Sequence, residues 1–512
     1  MPCVASIDQG TTSSRCIIFD ETFTILSAHQ LFHKQITPRP GWLEHDPEEI
    51  YSNCCLCLAE ALKKLRSKDP KLAKVAAIGI TNQRETGVAW DRKTGKPLCN
   101  AIVWSDARTY EVSNRIATQC GGGDSNFAAK ITGLPVSTYF TAFKFRWMLE
   151  NVPAVAAARK SGSLLLGTIE TWLLWKLSEG KVFVTDVSNA SRTFLMNLRT
   201  QQWCDKLCQE LDIPRAALPE IRSNSERYCD VTANDHGIRD ALGVPTPVTG
   251  CIGDQQSALF GHIGLQKGDA KNTYGTGCFV LMNVGAEPQF SKHGLLGTIA
   301  YKLGTEPAKF ALEGSIAGAG ATVEWMRSNL GFFDHPMEME SIARKVSDTD
   351  GVVLVPAFGG LLAPYWDPTA RGTLVGMTYK TNKSHIIRAA LEAISMQVNA
   401  VMLAMKEDSG VEINCLRVDG GLTRSRLLME MQADILGVNL YVPHLTETTA
   451  LGAALCAGLA VGVWKSIEEV QKTAKDHLRG ETVAPVTTDE QVRKARLDAW
   501  NAAVKLSQWA KL

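Results

Sequence analysis

The stretch SIDQGTTSSRCIIFD, residues 6 to 20, places an aspartate, four hydroxyl side chains and an arginine between two apolar runs. Hydroxyls and the backbone N–H groups of a turn can surround the oxygens of a phosphate. A Walker loop would read GxxxxGK[ST] and lead into a helix, whereas RCIIFD is typical of a second strand. A dinucleotide-binding GxGxxG turn is missing as well. We therefore predict a β-hairpin whose turn binds phosphate, with a plain polar hairpin as the alternative.

Polar turns of this kind recur along the chain. Two further segments predict hairpins and one predicts a strand leading into an amphipathic helix. They are VAAIGITNQRETGVAWD at 75 to 91, AKNTYGTGCFVLMN at 270 to 283, and LRVDGGLTRSRLLMEMQADILG at 416 to 437. The chain thus contains two sets of strand and glycine-turn elements followed by helical stretches, which indicates a weak internal duplication.

Asp254 lies where the apolar run VTGCIG gives way to a segment that can start a helix. A general base must be a carboxylate within hydrogen-bond reach of the reacting hydroxyl, and we expect it to stand outside a salt bridge. Asp254 fits that role. Its alternative is a helix N-cap, because an aspartate before QQSALF caps well. The two roles are compatible.

Composition excludes several classes of protein. The 512 residues include 54 Lys plus Arg against 53 Asp plus Glu, with 45% hydrophobic and 21% charged residues, which is typical of a soluble globular chain and not of a nucleic-acid binder. The N-terminus MPCVASIDQG does not resemble a secretory signal. The longest apolar run, at 450 to 464, is shorter than a membrane helix and predicts a tightly packed buried helix. The 14 cysteines predict free thiols, and Cys54, Cys55 and Cys57 predict helix packing in preference to zinc binding.

Alternating strands and helices predict an α/β fold of two large domains. The Pro/Gly-rich segment LGVPTPVTGCIG at 242 to 253 is the best candidate for the joint between them. We expect an N-terminal domain over residues 1–253 and a C-terminal domain over residues 254–512, with the ligand in the cleft between them.

Five short motifs and two longer ones carry a resemblance to a known family. They are DQGTTSSR at 8 to 15, NQRE at 82 to 85, GDQQ at 253 to 256, YGTG at 274 to 277, DGG at 419 to 421, YFTAFKFRWMLEN at 139 to 151 and GTLVGMTYKTNKSHIIRAALE at 372 to 392. In order and spacing the chain resembles the FGGY family of carbohydrate kinases, from Ile7 to about Gly458. The resemblance implies two actin-like, ribonuclease-H-like ATPase domains with the active site in the cleft between them.

The resemblance also implies roles for individual residues. Catalysis falls to Asp254 as base and to Arg15, and Asp8 holds Mg²⁺, with a turn aspartate as its alternative. The residues implied for polyol binding are Arg84, Glu85, Trp104, Tyr139, Asp254, Gln255 and Phe279. Those implied for nucleotide binding are Thr11, Thr12, Ser13, Arg15, Gly275, Thr276, Gly277, Gly320, Glu324, Gly421 and Ser425. Without the resemblance, Trp104 and Phe279 are ordinary core aromatics, and the Gly-Ala segments equally mark close helix packing.

The activity implied is Mg²⁺- and ATP-dependent phosphorylation of a terminal hydroxyl of glycerol, which gives sn-glycerol 3-phosphate and ADP. Two alternatives stay open. One is a kinase of the same family for another polyol or a ketose such as xylulose, ribulose or erythritol. The other is an actin-like or chaperone-like ATPase, which hydrolyses ATP without a polyol.

Partners and location complete the expectations. The resemblance implies a homodimer or homotetramer, and we expect no nucleic-acid partner and no membrane insertion. The last three residues, AKL at 510 to 512, are a variant of the SKL peroxisomal address. They predict recognition by the peroxisomal import receptor and location in a peroxisome-type organelle such as a glycosome, with the cytoplasm as the second choice.

Overall fold

The structure, a computed structural model, describes residues 2–68, 74–413, 415–486 and 489–509, so the AKL tail lies outside the described residues. The strands are β1 Cys3–Gln9, β2 Ser13–Phe19, β3 Ile25–Phe32, β4 Glu44–His45, β5 Val75–Asn82, β6 Val88–Asp91, β7 Ala101–Ile102, β8 Leu164–Gly167, β9 Val184–Asp186, β10 Met196–Asn197, β11 Gln202–Trp203, β12 Glu220–Arg222, β13 Ser225–Asp230, β14 Pro247–Gly253, β15 Ala270–Tyr274, β16 Cys278–Gly285, β17 Leu296–Tyr301, β18 Lys309–Ile316, β19 Val353–Val355, β20 Thr373–Val375, β21 Cys415–Asp419, β22 Asn439–Pro443 and β23 Gly480–Val483.

The helices alternate with these strands. They are α1 Pro47–Lys68, α2 Tyr110–Gly121, α3 Ala129–Thr132, α4 Thr141–Asn151, α5 Pro153–Ser161, α6 Ile169–Leu177, α7 Val187–Ala190, α8 Asp205–Glu210, α9 Ile238–Leu242, α10 Asp254–Gly261, α11 Gly320–Ser328, α12 Glu338–Ala343, α13 Lys383–Ser409, α14 Arg426–Leu436, α15 Thr448–Val461, α16 Ile467–His477 and α17 Glu490–Trp509.

Two mixed sheets form the framework. The first runs β3-β2-β1-β5-β14-β13, and the second runs β17-β18-β16-β15-β21-β22-β23. Starting from β3 in the first sheet and from β18 in the second, both show two antiparallel pairings, then two parallel pairings, then one antiparallel pairing. The shared order confirms the α/β class and the internal duplication.

Both sheets carry a predicted hairpin at the same position. In the first, β1 pairs antiparallel with β2, and the Gly10 N–H donates to the Ser13 carbonyl at 2.9 Å. In the second, β15 pairs antiparallel with β16, and the Gly275 N–H donates to the Gly277 carbonyl at 2.9 Å. Each turn therefore stands at the end of a buried central strand. The strand, DGG turn and helix predicted at 416 to 437 are also present, as β21, a short 3₁₀ turn and α14.

The hairpin predicted at 75 to 91 is wrong. Its first strand, β5, lies between β1 and β14, so both of its edges are already paired. The chain turns away through Glu85, whose φ is +62°, and β6 pairs antiparallel with β8 in a separate two-stranded sheet. Turn chemistry alone could not reveal this, because the competing partner β14 lies far along the chain.

The helices α10 and α15 cross at backbone contact and connect the two halves. A Cβ at Gly452 of α15 would lie 1.9 Å from the Ser257 carbonyl of α10, and one at Gly261 would lie 1.9 Å from the Thr448 carbonyl. On its other side α15 lies against the first sheet, where a Cβ at Gly79 would lie 2.2 Å from the Ala453 carbonyl. The apolar run at 450 to 464 is thus the buried, tightly packed helix that was predicted.

The remaining composition-based expectations concern thiols and membrane helices. The 14 cysteines all belong to the described residues and are thiols outside disulfides, and Cys54, Cys55 and Cys57 are buried along α1. Among the described residues, α13 alone is long and apolar enough to cross a membrane, and 72% of its most apolar window is buried inside the protein. Its apolar residues thus serve the core of the second half.

We predict that Gly452→Ala destabilises the protein. The new methyl group would overlap the backbone of α10, so the two helices must separate, at a cost of about 1–3 kcal/mol or more. Thermal unfolding measures this as a lowered midpoint. Gly359→Ala is the matched control, because a Cβ at Gly359 meets no atom within 4 Å. Equal midpoints for both variants would contradict the close crossing of α10 and α15.

Candidate active site

A buried carboxylate holds two arginines where the sheets meet. Glu313 on β18 accepts from Nη1 and Nη2 of Arg84 at 2.5 and 2.9 Å, and from Nη2 of Arg192 at 3.3 Å. Arg192 also donates through Nε to Glu85 at 2.5 Å. Glu313 is fully buried, and burial alone would raise the pKa of its carboxyl. The charges of Arg192 and Arg84 outweigh burial and lower that pKa to about 2, so Glu313 is ionised at neutral pH.

Asp254 lies beside this cluster at the first residue of α10. The cap position belongs to Gly253, so the N-cap alternative does not apply, although Asp254 Oδ1 accepts from the Gln255 N–H at 2.7 Å. Its side chain is 26% exposed, in contrast to the 2% of Arg84. The carboxylate is therefore open to a ligand on one side.

The expectation of a base outside any salt bridge differs from the observed geometry. Arg84 Nε lies 3.0 Å from Asp254 Oδ1, but the N–H is not aligned for a hydrogen bond. The reason is that the terminal nitrogens of Arg84 are committed to Glu313. Burial raises the pKa of Asp254 to about 6 even though the Arg84 charge acts to lower it.

The predicted polyol residues converge around Asp254. Trp104, Tyr139 and Phe279 form an edge-to-face group, with ring centroids 5.5 Å apart for Trp104 and Tyr139 and 6.1 Å apart for Trp104 and Phe279. Glu85 is connected to this group by Arg192. Arg192 pairs with the Glu85 carboxylate, and its guanidinium is 5.6 Å from the Tyr139 ring. Aromatic rings and charged hydrogen-bonding groups thus lie side by side, as a polyol site requires.

The left-handed φ of Glu85 is unusual for a residue other than glycine and is a form of strain found at functional sites. Two contacts hold Glu85 there. Arg192 binds its carboxylate, and the Thr141 hydroxyl donates to its carbonyl at 3.2 Å. Glu85 is buried, so its carboxylate orientation is fixed before a ligand arrives.

The first hairpin turn is anchored from behind. The Thr11 carbonyl accepts from Nε2 of His33 at 2.8 Å and from Nε2 of Gln35 at 3.0 Å, and the Thr12 carbonyl accepts from the His33 N–H at 3.2 Å. The Thr11 hydroxyl accepts from Nε1 of Trp104 at 2.9 Å. Because its carbonyls are engaged, the turn can present N–H and hydroxyl groups to an anion.

Arg15 is held by two carboxylates. It donates through Nε and Nη2 to Asp8 Oδ2 at 3.0 and 2.5 Å, and its Nη1 lies 2.7 Å from Glu447 Oε2, just before α15. The guanidinium is about one third exposed. Arg15 therefore stands at the edge of the phosphate turn, where a terminal phosphate would compete with Asp8 and Glu447 for its N–H groups.

A cavity of about 560 Å³ lies beside the second hairpin turn. It is lined by Tyr274, Gly275, Thr276, Gly320, Ala321, Glu324, Trp325, Ser328, Asn329, Gly421 and Leu422. Five of the predicted nucleotide residues are in this set: Gly275, Thr276, Gly320, Glu324 and Gly421. Glu324 is exposed and pairs with Arg327 at 2.6 Å. Trp325, which is also in this set, was not predicted.

Of the nucleotide residues predicted in the second half of the chain, Gly277 and Ser425 lie outside this lining. A Cβ at Gly277 would lie 2.2 Å from the Ile316 carbonyl, so glycine is required there for the approach of β18. Ser425 caps α14 by accepting from the Leu428 N–H at 3.3 Å, and it donates to Glu340 at 3.0 Å. Both residues shape the walls behind the cavity.

Sequence reasoning missed four charged residues of the site: Arg192, Lys271, Glu313 and Glu447. Glu313 interrupts the apolar strand KFALEGSI, and Lys271 lies in the buried strand AKNTY. A lone charge in a strand that is otherwise buried requires a partner. That signal was available in the sequence, but the two arginines that pair with Glu313 lie more than a hundred residues away.

Both halves of the chain match a known protein family. Models for the N-terminal and C-terminal domains of the FGGY family of carbohydrate kinases match residues 3–261 and 270–461. The chain belongs to this family. The boundary between the two domains after residue 253 stays a prediction.

Similar proteins span the whole chain. A glycerol kinase from Brucella anthropi is 50% identical over 507 residues, covering 98% of both chains, and one from Roseiflexus sp. is 47% identical with the same coverage. A crystal structure of Plasmodium falciparum glycerol kinase with ADP matches with a TM-score of 0.91 at 40% identity, covering 99% of this chain and 98% of that one. A xylulose kinase from Lactobacillus acidophilus, at 18% identity and a TM-score of 0.85 over 99% of this chain and 98% of its own, shows the fold alone.

We predict that Glu313→Gln destabilises the protein by about 3 kcal/mol or more, because it removes the charge that compensates two buried guanidinium groups. Thermal unfolding is the measurement. The control is Glu220→Gln, which removes an exposed carboxylate that pairs with Arg222 at 3.2 Å and is expected to change stability by less than about 1 kcal/mol. A loss no greater for Glu313→Gln than for the control would contradict the role of Glu313.

Proposed function

We propose that this chain transfers the γ-phosphate of ATP to a terminal hydroxyl of glycerol, giving sn-glycerol 3-phosphate and ADP. The observation that carries the proposal is the convergence of Asp254, the Arg84 and Glu85 pair, and three aromatic rings on one space beside the phosphate turn. Relatives named as glycerol kinases at 47–50% identity over nearly the whole chain support it.

The site suits a short polyol. Glycerol has hydroxyls along one edge and a hydrocarbon spine along the other, so its pocket needs charged hydrogen-bonding groups opposite apolar walls. Arg84 and Glu85 supply a donor and an acceptor on adjacent residues, and Gln255 adds a polar contact. The rings of Trp104 and Phe279, in edge-to-face contact with centroids 6.1 Å apart, supply one apolar wall for the carbon chain.

Asp254 is the proposed base. The substrate hydroxyl oxygen attacks the γ-phosphorus, the bond between that phosphorus and the oxygen bridging to the β-phosphate breaks, and the hydroxyl proton passes to the Asp254 carboxylate. A carboxyl pKa of about 6 leaves Asp254 ionised at neutral pH and more basic than an ordinary aspartate. Its partial exposure provides the side from which the hydroxyl approaches.

The nucleotide is proposed to lie between the two hairpin turns, with its nucleoside in the cavity beside Gly320 and Gly421. The turn at Thr11, Thr12 and Ser13 would bind terminal phosphate oxygens, and Gly275 to Gly277 would approach from the second sheet. Glycine at these positions permits close backbone contact with phosphate. Arg15 would exchange part of its contact with the carboxylates for phosphate.

Mg²⁺ is a proposal drawn from the family. Among the described residues, no group of three His, Cys, Asp or Glu side chains is arranged to hold a metal ion. A site with few protein ligands fits an ion held chiefly by phosphate oxygens and water, because Mg²⁺ keeps much of its hydration shell. Asp8 fits as an outer carboxylate, since one of its oxygens is engaged by Arg15. When bound, the ion would neutralise charge on the phosphates.

Assembly and location stay predictions. A homodimer or homotetramer is proposed from the family alone. The bacterial relatives do not support import through the AKL tail by the peroxisomal receptor. They are consistent with a cytoplasmic location. A kinase for another polyol or a ketose is the nearest alternative activity, and an ATPase that needs no polyol is the more distant one.

We predict that ADP release from MgATP requires glycerol and falls by about a hundredfold or more in Asp254→Asn, because the amide cannot accept the proton. A coupled ADP assay with glycerol and a panel of ketoses is the measurement. The matched control is Asp205→Asn, which changes an exposed aspartate at the first residue of α8 and is expected to retain activity.

Each contrary result has a definite meaning. Turnover on a ketose without turnover on glycerol would retain the family and reject the substrate. ATP hydrolysis that is indifferent to glycerol would favour the ATPase alternative. Full activity of Asp254→Asn with glycerol would reject Asp254 as the base.

We predict an acidic limb in the pH dependence of kcat/KM for glycerol, centred near pH 6. The base acts only when ionised, so activity falls as pH drops through its raised pKa, and kcat/KM reports the free enzyme. Initial rates from pH 4.5 to 8 at saturating MgATP measure it. A kcat/KM that stays level down to about pH 5, as an ordinary aspartate with a pKa of about 4 predicts, would show that Asp254 is not held in this environment.

A further inference from the structure

Lys271 is a buried lysine with no role in the mechanism above. It lies on β15, in the strand that leads into the second hairpin turn, and has no exposed surface. Its ammonium group donates to Gln255 Oε1 and to the Thr273 hydroxyl, the latter at 2.9 Å. Burial lowers the pKa of Lys271 to about 8, so at neutral pH the group is mostly charged. A buried charge must be compensated by hydrogen bonds and by opposite charges, and carboxylates near Lys271 act to raise its pKa.

The contact with Gln255 sets which end of that amide meets the ligand. An ammonium group only donates hydrogen bonds, so the atom of Gln255 that faces Lys271 must be the carbonyl oxygen. The NH₂ end of Gln255 is then directed away from Lys271. Lys271 binds the Gln255 amide, and its charge also acts on Asp254, so the fixed amide lies on the same side of α10 as the proposed base.

Lys271 also interacts with the DGG segment. The charge of Asp419 acts to raise the pKa of Lys271, and Asp419 Oδ2 accepts from Thr448 and lies 2.8 Å from Nε2 of His262. His262 follows α10 and Thr448 begins α15. Lys271 therefore belongs to a network that fixes the polyol side of α10 against the second sheet.

We propose that Lys271 is a positioning residue of the polyol site, which orients Gln255 so that its amide NH₂ donates to a hydroxyl oxygen of the substrate. This inference rests on the proposed function. Without Lys271 the amide can reverse, and Gln255 would present an acceptor where the substrate oxygen needs a donor. Lys271 also places a positive charge near Asp254. Like the charge of Arg84, it acts to lower the pKa of Asp254, whereas the charge of Glu85 acts to raise it.

The test uses Lys271→Met, which keeps much of the side-chain volume and removes the donors. We expect kcat/KM for glycerol to fall about 10-fold to 100-fold, mainly through KM, as when a buried acceptor loses a charged donor. The affinity for MgADP, measured by calorimetry, is expected to stay within about two-fold and shows that the variant is folded. The acidic limb of the pH profile is expected to move to higher pH, because one charge that lowers the pKa of Asp254 is gone.

A second variant tests the proposal if Lys271→Met does not fold. Gln255→Glu can still accept from Lys271 but has no NH₂ group to donate, so it should show a similar loss for glycerol. Lys302→Met is the matched control, since half-buried Lys302 donates to Gln201 Oε1 at 3.0 Å away from the site, and its glycerol KM should not change.

The outcomes separate the two proposals. Lys271→Met with normal MgADP affinity and a glycerol KM within about two-fold of wild type overturns the positioning role. If Lys271→Met does not bind MgADP, an unchanged glycerol KM in Gln255→Glu overturns it instead. Wild-type protein that does not bind glycerol overturns the proposed function and the polyol role of Lys271 together.

Discussion

Glu313 is the buried anion on which the site depends. It accepts hydrogen bonds from Arg84 and Arg192, and these two guanidinium groups in turn face Asp254 and Glu85. With Lys271 the cluster holds three cations and three anions, a balance that buried charges require. Because Arg84 comes from the first half and Glu313 from the second, this balance is reached only when the two sheets are correctly placed. The cluster thus ties the assembly of the fold to the geometry of the site.

The same cluster explains why Arg84 lies beside Asp254 without holding the pKa of that carboxyl low. Arg84 uses its terminal nitrogens on Glu313, and only its Nε faces Asp254, out of line for a hydrogen bond. Burial then dominates and leaves the pKa of Asp254 at about 6. The left-handed backbone at Glu85 is maintained by the same contacts, since Arg192 links Glu85 to Glu313. Strain at one residue is compensated by ionic bonds to its neighbours.

Local sequence signals predicted the elements whose contacts are local. The turn after Asp8 and the GTG turn form the expected hairpins because each is closed by strands adjacent in sequence. The hairpin expected after β5 failed because β1 and β14 outcompete β6 for its edges. Glu313, Arg192 and Lys271 escaped notice for a related reason: each satisfies its charge through partners that only the folded chain brings near. Motif resemblance implied residues for ligand binding, but it did not point to the charged residues that pair with them.

The central claim is that this cluster presents Asp254 to a glycerol hydroxyl. A crystal structure of the protein with glycerol and MgADP tests it most directly. We expect glycerol to lie against the edge-to-face pair of Trp104 and Phe279, with one hydroxyl oxygen about 2.6–3.2 Å from an Asp254 carboxylate oxygen. Arg84 should remain bound to Glu313. Glycerol bound elsewhere, or Asp254 turned into an aligned hydrogen bond with Arg84 and away from the polyol, would contradict it.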